Sequence, residues 1–326
     1  MRTALHPKEL GPLEDFHDLE HDHEDFESAV LEGLGRRHKS LPSKFFYDER
    51  GSKLFDRITE LPEYYPTRTE IGMLQRFAGE IAETVGAAPT VVEFGAGSVV
   101  KIRLLLDAVH APVFVPLDIS REHLMQSSRD LAADYPDTRV IAICADFTRN
   151  IELPRDLPTG NRLGFFPGST LGNFTRGDAE AFLVNARKTL GPGSAFLVGI
   201  DLRKDEETLR KAYNDSQGIT AAFNLNILRR INRELGGNFD LQRFAHDAPW
   251  LADEGRIEMH LVSKEAQTVT VAGRRFDFAE GEYIHTEYSH KYSVDEFRAM
   301  AQRAGYAPER VWVDDDNLFS LHYLKA

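Results

Sequence analysis

Thr90 to Lys101 reads TVVEFGAGSVVK. A short β-branched run (Val91, Val92) ending in Glu93 and Phe94, then a Gly-x-Gly turn, has the form of a buried parallel strand that feeds a helix. Without a Cβ, Gly95 and Gly97 allow positive φ and let a ligand lie against the backbone. The helix that follows (Ile102, Leu105, Leu106, Val109) aims its first N–H groups at the same spot. A nucleotide-like ligand suits that place. The dinucleotide fingerprint needs a further glycine where this chain has Val100, which argues against a nicotinamide or flavin pyrophosphate.

Two more strand ends strengthen the reading. A strand from Val113 to Leu117 ends in Asp118, 21 residues after Gly97, the distance at which a doubly wound sheet brings a carboxylate to a ribose diol. A third strand, Arg139 to Cys144, leads to Asp146 and Phe147, an acid and an aromatic ring side by side, able to hold an adenine by its amine and its face. With Glu93, this places acids at three consecutive strand ends. Together they resemble an S-adenosylmethionine-dependent methyltransferase of the Rossmann-like class.

Composition narrows the partners. With 42% hydrophobic and 28% charged residues, the 326-residue chain has the balance of a globular protein with ample core. It has no apolar run long enough to span a bilayer, and MRTALHPKEL lacks a signal core, so a cytoplasmic protein without membrane contact is expected. The 52 acids and 39 bases give a net charge of −13, which repels nucleic acid and favours a small substrate. The single cysteine, Cys144, falls inside a strand pattern and reads as core. A monomer is expected.

Residues 1–24, with His17, His21 and His23, show little apolar periodicity and are expected to form a mobile acidic tail. HDLEHDH lacks metal-site spacing, so no metal is expected. A helix follows from Asp25 to Gly35. The segment KSLPSKFFYDERGSKLFDRITELPEYYPTRTE (39–70) then sets rings between turn residues, and the hydroxyls of Tyr47 and Tyr64 tilt both toward a pocket wall. One helix is expected over Glu70–Val85. A fourth strand, Arg162 to Phe166, runs into PGSTLGNFTRGD, where Asn173 offers both a donor and an acceptor. The alternation continues through a helix at Ala179–Leu190 and a strand at Ala195–Asp201. The period then changes: 203–246 reads as helical and 256–289 as antiparallel strands. A helix near 294–305 and strands at 310–313 and 319–324 return to finish the sheet. The resulting division is a tail (1–24), a substrate-binding domain (25–69 with 203–290) and a cofactor-binding domain (70–202 with 291–326).

From about Lys39 to the carboxyl terminus the chain resembles the histidine Nα-methyltransferase family of ergothioneine biosynthesis. The resemblance is carried by KFFYDERGSKLFDRITELPEYYPTRTE, GSTLGNFT, AYNDSQGITAAFNLNIL, FDF, RIEM and TEYSHKYS. It implies a class I methyltransferase sheet with a second α+β substrate-binding domain, S-adenosylmethionine as methyl donor, and conversion of L-histidine to Nα,Nα,Nα-trimethylhistidine (hercynine). By motif it implies that Gly95, Lys101, Asp118, Asp146 and Phe147 contact the cofactor. Tyr64, Asn173, Tyr213, Met259, Glu287 and Ser289 would line the substrate pocket, with Tyr47 and Phe55 in the segment closing over the amine. The glycine loop departs from the Gly-Ser-Gly-Thr form associated with the family, and the acidic, His-rich tail is outside its pattern.

The chemistry agrees. Methyl transfer from a sulfonium is an in-line displacement, so the protein's task is alignment. The amine must be neutral, which desolvation favours. Tyr47 and Asn173, the expected catalytic residues, read as orienters of that amine. Glu287 and Ser289 suit the two imidazole nitrogens, Asn173 and Tyr213 suit the α-carboxylate, and Met259 suits the face of the ring. The rival reading is a relative acting on another aromatic amino acid such as tryptophan, whose indole gives Glu287 less to bind.

Overall fold

The computed structural model describes Leu13 and residues 15–19, 26–97, 99–158 and 160–326. Its strands in chain order are β1 (Asp15–Asp18), β2 (Thr90–Phe94), β3 (Val113–Asp118), β4 (Arg139–Cys144), β5 (Arg162–Phe166), β6 (Ala195–Asp201), β7 (Phe244–Asp247), β8 (Trp250–Leu251), β9 (Arg256–Ser263), β10 (Gln267–Val271), β11 (Arg274–Phe278), β12 (Tyr283–His290), β13 (Ala307–Val313) and β14 (Phe319–Lys325). Backbone contacts divide the chain into two units. One joins the amino-terminal strand to 69–202 and 292–326, and the other joins 26–68 to 203–291.

The first unit is an eight-stranded sheet in the order β1-β4-β3-β2-β5-β6-β14-β13. Strands β1 to β6 are parallel, while β14 runs antiparallel to β6 and β13 antiparallel to β14. The parallel strands are apolar on both faces because helices cover both, as the uniformly buried β2 and β6 show. One core layer joins Leu105, Leu106, Phe114, Val140 and Phe165, and the other joins Val115, Ile143, Phe166, Phe182 and Phe196. Strand order reverses between β2 and β5, which puts the carboxyl end of β2 at the switch point where open α/β sheets bind ligands. This is the class I methyltransferase topology, with an added strand on one edge.

That edge corrects the reading of 1–24 as a mobile tail, because residues 15–18 pair in parallel with Ile141 to Cys144 of β4. Phe16 is only 1% exposed and joins the core with Leu13, so the segment covers what would otherwise be an open strand edge. His21 and His23 lie outside the described residues. The helix expected over Glu70–Val85 is two helices, Tyr65–Arg76 and Ala78–Val85, which part at Phe77 (φ −99, ψ 7). The Phe77 ring packs on Trp312 at 6.4 Å between centroids.

In the second unit β12, β9 and β7 form an antiparallel sheet, β8 pairs with β9, and β10–β11 is a separate hairpin. The stretch expected to be helical over 203–246 comprises the helices Glu206–Tyr213 and Ile219–Leu235 and then β7. The longer helix buries Phe223, Asn224, Asn226, Ile227, Leu228 and Ile231, so polar side chains as well as apolar ones face inward. Asp48 ties it to the helix Glu49–Thr59. Its Oδ1 accepts from the cap N–H of Gly51 at 2.8 Å and from Asn226 Nδ2 at 2.8 Å, and its Oδ2 pairs with Arg233 at 2.7 Å. Replacing Asp48 with alanine removes a helix cap and two cross-helix bonds at once, and equilibrium urea unfolding should show a loss of about 2–3 kcal/mol. A change below about 0.5 kcal/mol would mean that Asp48 does not join the two helices.

Candidate active site

In the first unit, β2 turns at Gly95 with φ +77, and the N–H groups of Gly95 and Ala96 both donate to Leu117 O of β3, at 2.8 and 3.0 Å. A Cβ on Gly95 would lie 3.4 Å from the Phe147 ring, so this glycine keeps a backbone surface open beside that ring. Gly97 does not use that freedom: it is not left-handed, and a Cβ there would meet nothing within 4 Å. Its carbonyl instead lies 3.1 Å from His123 Nε2.

Asp118 ends β3 half-buried and accepts from the Ser120 N–H at 2.7 Å. Burial pushes its carboxyl up from the usual range, against the pull of the Ser120 N–H, His123 and the Ile119 N–H. Asp146 accepts from Thr148 N at 3.0 Å and Thr148 Oγ1 at 2.6 Å, so its carboxylate is already oriented. Glu93 differs from these two. It is 2% exposed, and burial, reinforced by Asp118 and opposed by Lys101, drives its carboxyl well up toward the neutral form.

Lys101 is held by a residue the sequence reading overlooked. Its ammonium lies 2.6 Å from Glu70 Oε2, and both groups are buried. The two Glu70 oxygens also accept from Gly168 N, at 3.0 and 2.8 Å. Gly168 (φ +80) opens the loop after β5, Ser169 Oγ accepts from Asp201 N at 2.9 Å, and the 3-10 turn Thr170–Asn173 ends at half-buried Asn173. The Glu70–Lys101 pair therefore braces the segment that carries Asn173. Losing one partner of such a pair would strand a buried charge.

In the second unit the expected pocket residues adjoin one another. Ring centroids run from Tyr47 to Phe55 (5.7 Å), Phe55 to Tyr64 (6.5 Å) and Tyr64 to Tyr213 (6.3 Å), all edge to face. Tyr213 Oη lies 2.6 Å from Ser289 Oγ. Met259 of β9 stands opposite Glu287 of β12. That pairing needs a β-bulge, since His285 pairs with His260 and Glu287 with Met259, which leaves Thr286 as the extra residue. Without it, Thr286 would stand opposite Met259 and Glu287 would turn to the other face. The bulge is fixed by the Thr286 hydroxyl, 2.8 Å from Asn224 Oδ1 and 2.9 Å from Met259 O, while Asn224 Nδ2 donates to His260 O at 3.0 Å. Burial pushes the Glu287 carboxyl up to about 7, and Lys291 pulls it down.

Lys291 was not singled out from sequence, although the alternation Glu287, Ser289, Lys291 within TEYSHKYS was available as a signal. Glu70 likewise closes the motif KFFYDERGSKLFDRITELPEYYPTRTE, but its partner Lys101 is distant in the chain. Among the described residues no group of three or more His, Cys, Asp or Glu could hold a metal ion, and no helix is long and apolar enough to cross a membrane.

The strand order, the left-handed glycine ending β2 and the acids after β3 and β4 define a Rossmann-like S-adenosylmethionine-dependent methyltransferase. More narrowly, the chain belongs to the family described as histidine-specific methyltransferases, SAM-dependent, whose model matches residues 26–326. It is 43% identical over 299 residues to the histidine N-alpha-methyltransferase of Mycolicibacterium smegmatis, covering 90% of this chain and 92% of that one. Its identity to the Mycobacterium tuberculosis protein of the same name is 41% over 299 residues, with the same coverage. Ergothioneine biosynthesis protein 1 of Schizosaccharomyces pombe is 32% identical over 282 residues, which are 82% of this chain and 36% of that longer one.

The bulge gives a direct test. Thr286→Val keeps the shape of the side chain but leaves Asn224 Oδ1 and the Met259 carbonyl without this donor, and urea unfolding should show a loss of about 1–3 kcal/mol. Wild-type stability would mean that the hydroxyl does not hold the bulge.

Proposed function

We propose that this chain transfers methyl groups from S-adenosylmethionine to the α-amine of L-histidine until the nitrogen is trimethylated, the first step of ergothioneine biosynthesis. The observation that carries the substrate reading is the pairing of Glu287 with Met259, with Ser289 two residues further along the same strand face. A carboxylate, a hydroxyl and a soft apolar side chain on one face suit an imidazole: Glu287 accepts from one ring nitrogen, Ser289 bonds the other, and Met259 lies against the plane. An indole, larger and with one N–H, would match this set less well. Tyr213 would hold the α-carboxylate, and Tyr47 would orient the amine.

The residues present fit the cofactor. The room beside Gly95, which a Cβ would reduce, adjoins the Phe147 ring, and the Asp118 and Asp146 carboxylates follow β3 and β4 as ribose and adenine acceptors. Lys101, held by Glu70, would complete the set. When bound, S-adenosylmethionine supplies an electrophilic methyl group. The chain's own part is to desolvate the amine, which favours its neutral form, and to fix its direction of approach. Tyr47, Phe55 and Tyr64 give that amine an aromatic surround that still accommodates it when methylated and cationic.

The test is a quenched time course of the purified chain with S-adenosylmethionine and an equimolar mixture of free amino acids, read by mass spectrometry. Histidine should be consumed and the course should end in its trimethylated form. Methylation of another amino acid in preference, or an end point at one methyl group, would overturn the assignment.

A further inference from the structure

Lys291 is fully buried, one residue beyond β12. Its backbone is clamped on both sides: its N–H donates to Gly255 O at 2.8 Å, and its carbonyl accepts from Arg203 Nε at 3.4 Å. The side chain follows Glu287 and Ser289 in the strand's alternation and ends in a compact cluster. Nζ lies 2.7 Å from Ser289 Oγ, 2.9 Å from Tyr213 Oη and 4.8 Å from the Tyr213 ring centroid. A buried ammonium is costly unless its surroundings use the charge.

The cluster has a fixed polarity. An ammonium only donates, so Tyr213 Oη and Ser289 Oγ both accept from Lys291. The 2.6 Å Tyr213–Ser289 contact takes one of the two hydroxyl protons, which leaves one for a group outside the pair. Both hydroxyls are thereby committed as acceptors on the lysine side, and outward the cluster acts as a donor. That suits an anionic or lone-pair group, such as a carboxylate or an unprotonated ring nitrogen. The same positive charge acts on Glu287. The cross-strand neighbours of Glu287 and Ser289 on β9, Met259 and Ile257, are uncharged. On the helix Glu206–Tyr213, Tyr213 is buried in the cluster while Glu206, Glu207, Arg210 and Lys211 are exposed, and His246 of β7 meets the Tyr213 backbone carbonyl at 2.8 Å.

We propose that Lys291 is a positioning residue of the substrate pocket, its ammonium holding Tyr213 and Ser289 as acceptors so that the one proton left to the hydroxyl pair is donated to the substrate, and supplying the countercharge to Glu287. It acts through these three side chains. The choice of histidine as ligand rests on the function proposed above, but the electrostatic part does not, so it is tested on the ligand-free protein.

The experiment is a carboxyl ¹³C NMR titration of glutamate-labelled protein, with the Glu287 signal assigned by its loss in Glu287→Gln. It compares wild type with Lys291→Gln, which keeps donors but removes the charge, and Lys291→Arg, which keeps the charge. Binding of S-adenosylhomocysteine checks that each variant is folded. In wild type Glu287 should titrate near 7. In Lys291→Gln the midpoint should rise by about one pH unit or more as an opposite charge is lost, and in Lys291→Arg it should stay near wild type. With histidine as substrate, KM at pH 7 should rise about fivefold or more in Lys291→Gln as the ionised fraction of Glu287 falls. An unmoved Glu287 midpoint in Lys291→Gln, or equal movement in Gln and Arg variants, overturns the proposal. Failure of wild type to methylate histidine, with the Glu287 midpoints behaving as stated, would instead count against the substrate.

Discussion

A carboxyl group proposed to accept from an imidazole, a bond that ionisation strengthens, sits where burial favours its neutral form. Glu287 is 9% exposed and pushed up to about 7, so its two protonation states are balanced near neutrality and small influences decide between them. The surroundings supply those influences. Lys291 brings an opposite charge at the end of the same strand, and a bulge at Thr286 turns the carboxyl onto the face it shares with Met259. The bulge depends in turn on Asn224, a polar residue fully buried in the helix Ile219–Leu235. Burying an asparagine there would weaken an ordinary core, but both sides of its amide are used, one by the Thr286 hydroxyl and one by the His260 carbonyl.

The first unit treats charge in the same way. Glu70 and Lys101 are withdrawn from water together, and the carboxylate also receives the Gly168 N–H. Such a pair adds little net stability over an apolar alternative, yet it has only one satisfactory arrangement, which suits a residue that fixes a loop. Gly199 shows how closely the site is built, since a Cβ on it would lie 2.1 Å from Glu70 Oε1. The sheet provides the rigid frame, and the buried ion pair couples the helix after β2 to the loop after β5.

Much of the sheet was legible because its signals are local. Val113 to Asp118, Arg139 to Cys144 and Arg162 to Phe166 are apolar runs bounded by turn residues, and the strands fall on them. β1 was not legible. DFHD carries one apolar residue, and it becomes a strand only because β4 offers an edge and Phe16 a place in the core. The break at Phe77 was hidden for a similar reason, since the apolar period continues through it while the ring turns toward Trp312, far along the chain. At the site, residue types in motifs were readable but their partners were not. Nothing near Lys101 in sequence names Glu70, and a bulge at Thr286 leaves no trace in a pattern of alternating residues. Gly97 shows the opposite case, a glycine whose motif allows a positive φ that the backbone does not use.

The proposed reading of the imidazole by Glu287 is tested most directly by competition between histidine and tryptophan for the wild-type chain and for Glu287→Ala, followed by mass spectrometry as the ratio of their kcat/KM values. A buried bond to a charged group contributes about 1.5 to 3 kcal/mol, so the ratio favouring histidine should fall by about one to two orders of magnitude in the variant. A ratio unchanged from wild type would contradict the account, because the carboxylate would then play no part in distinguishing the two rings.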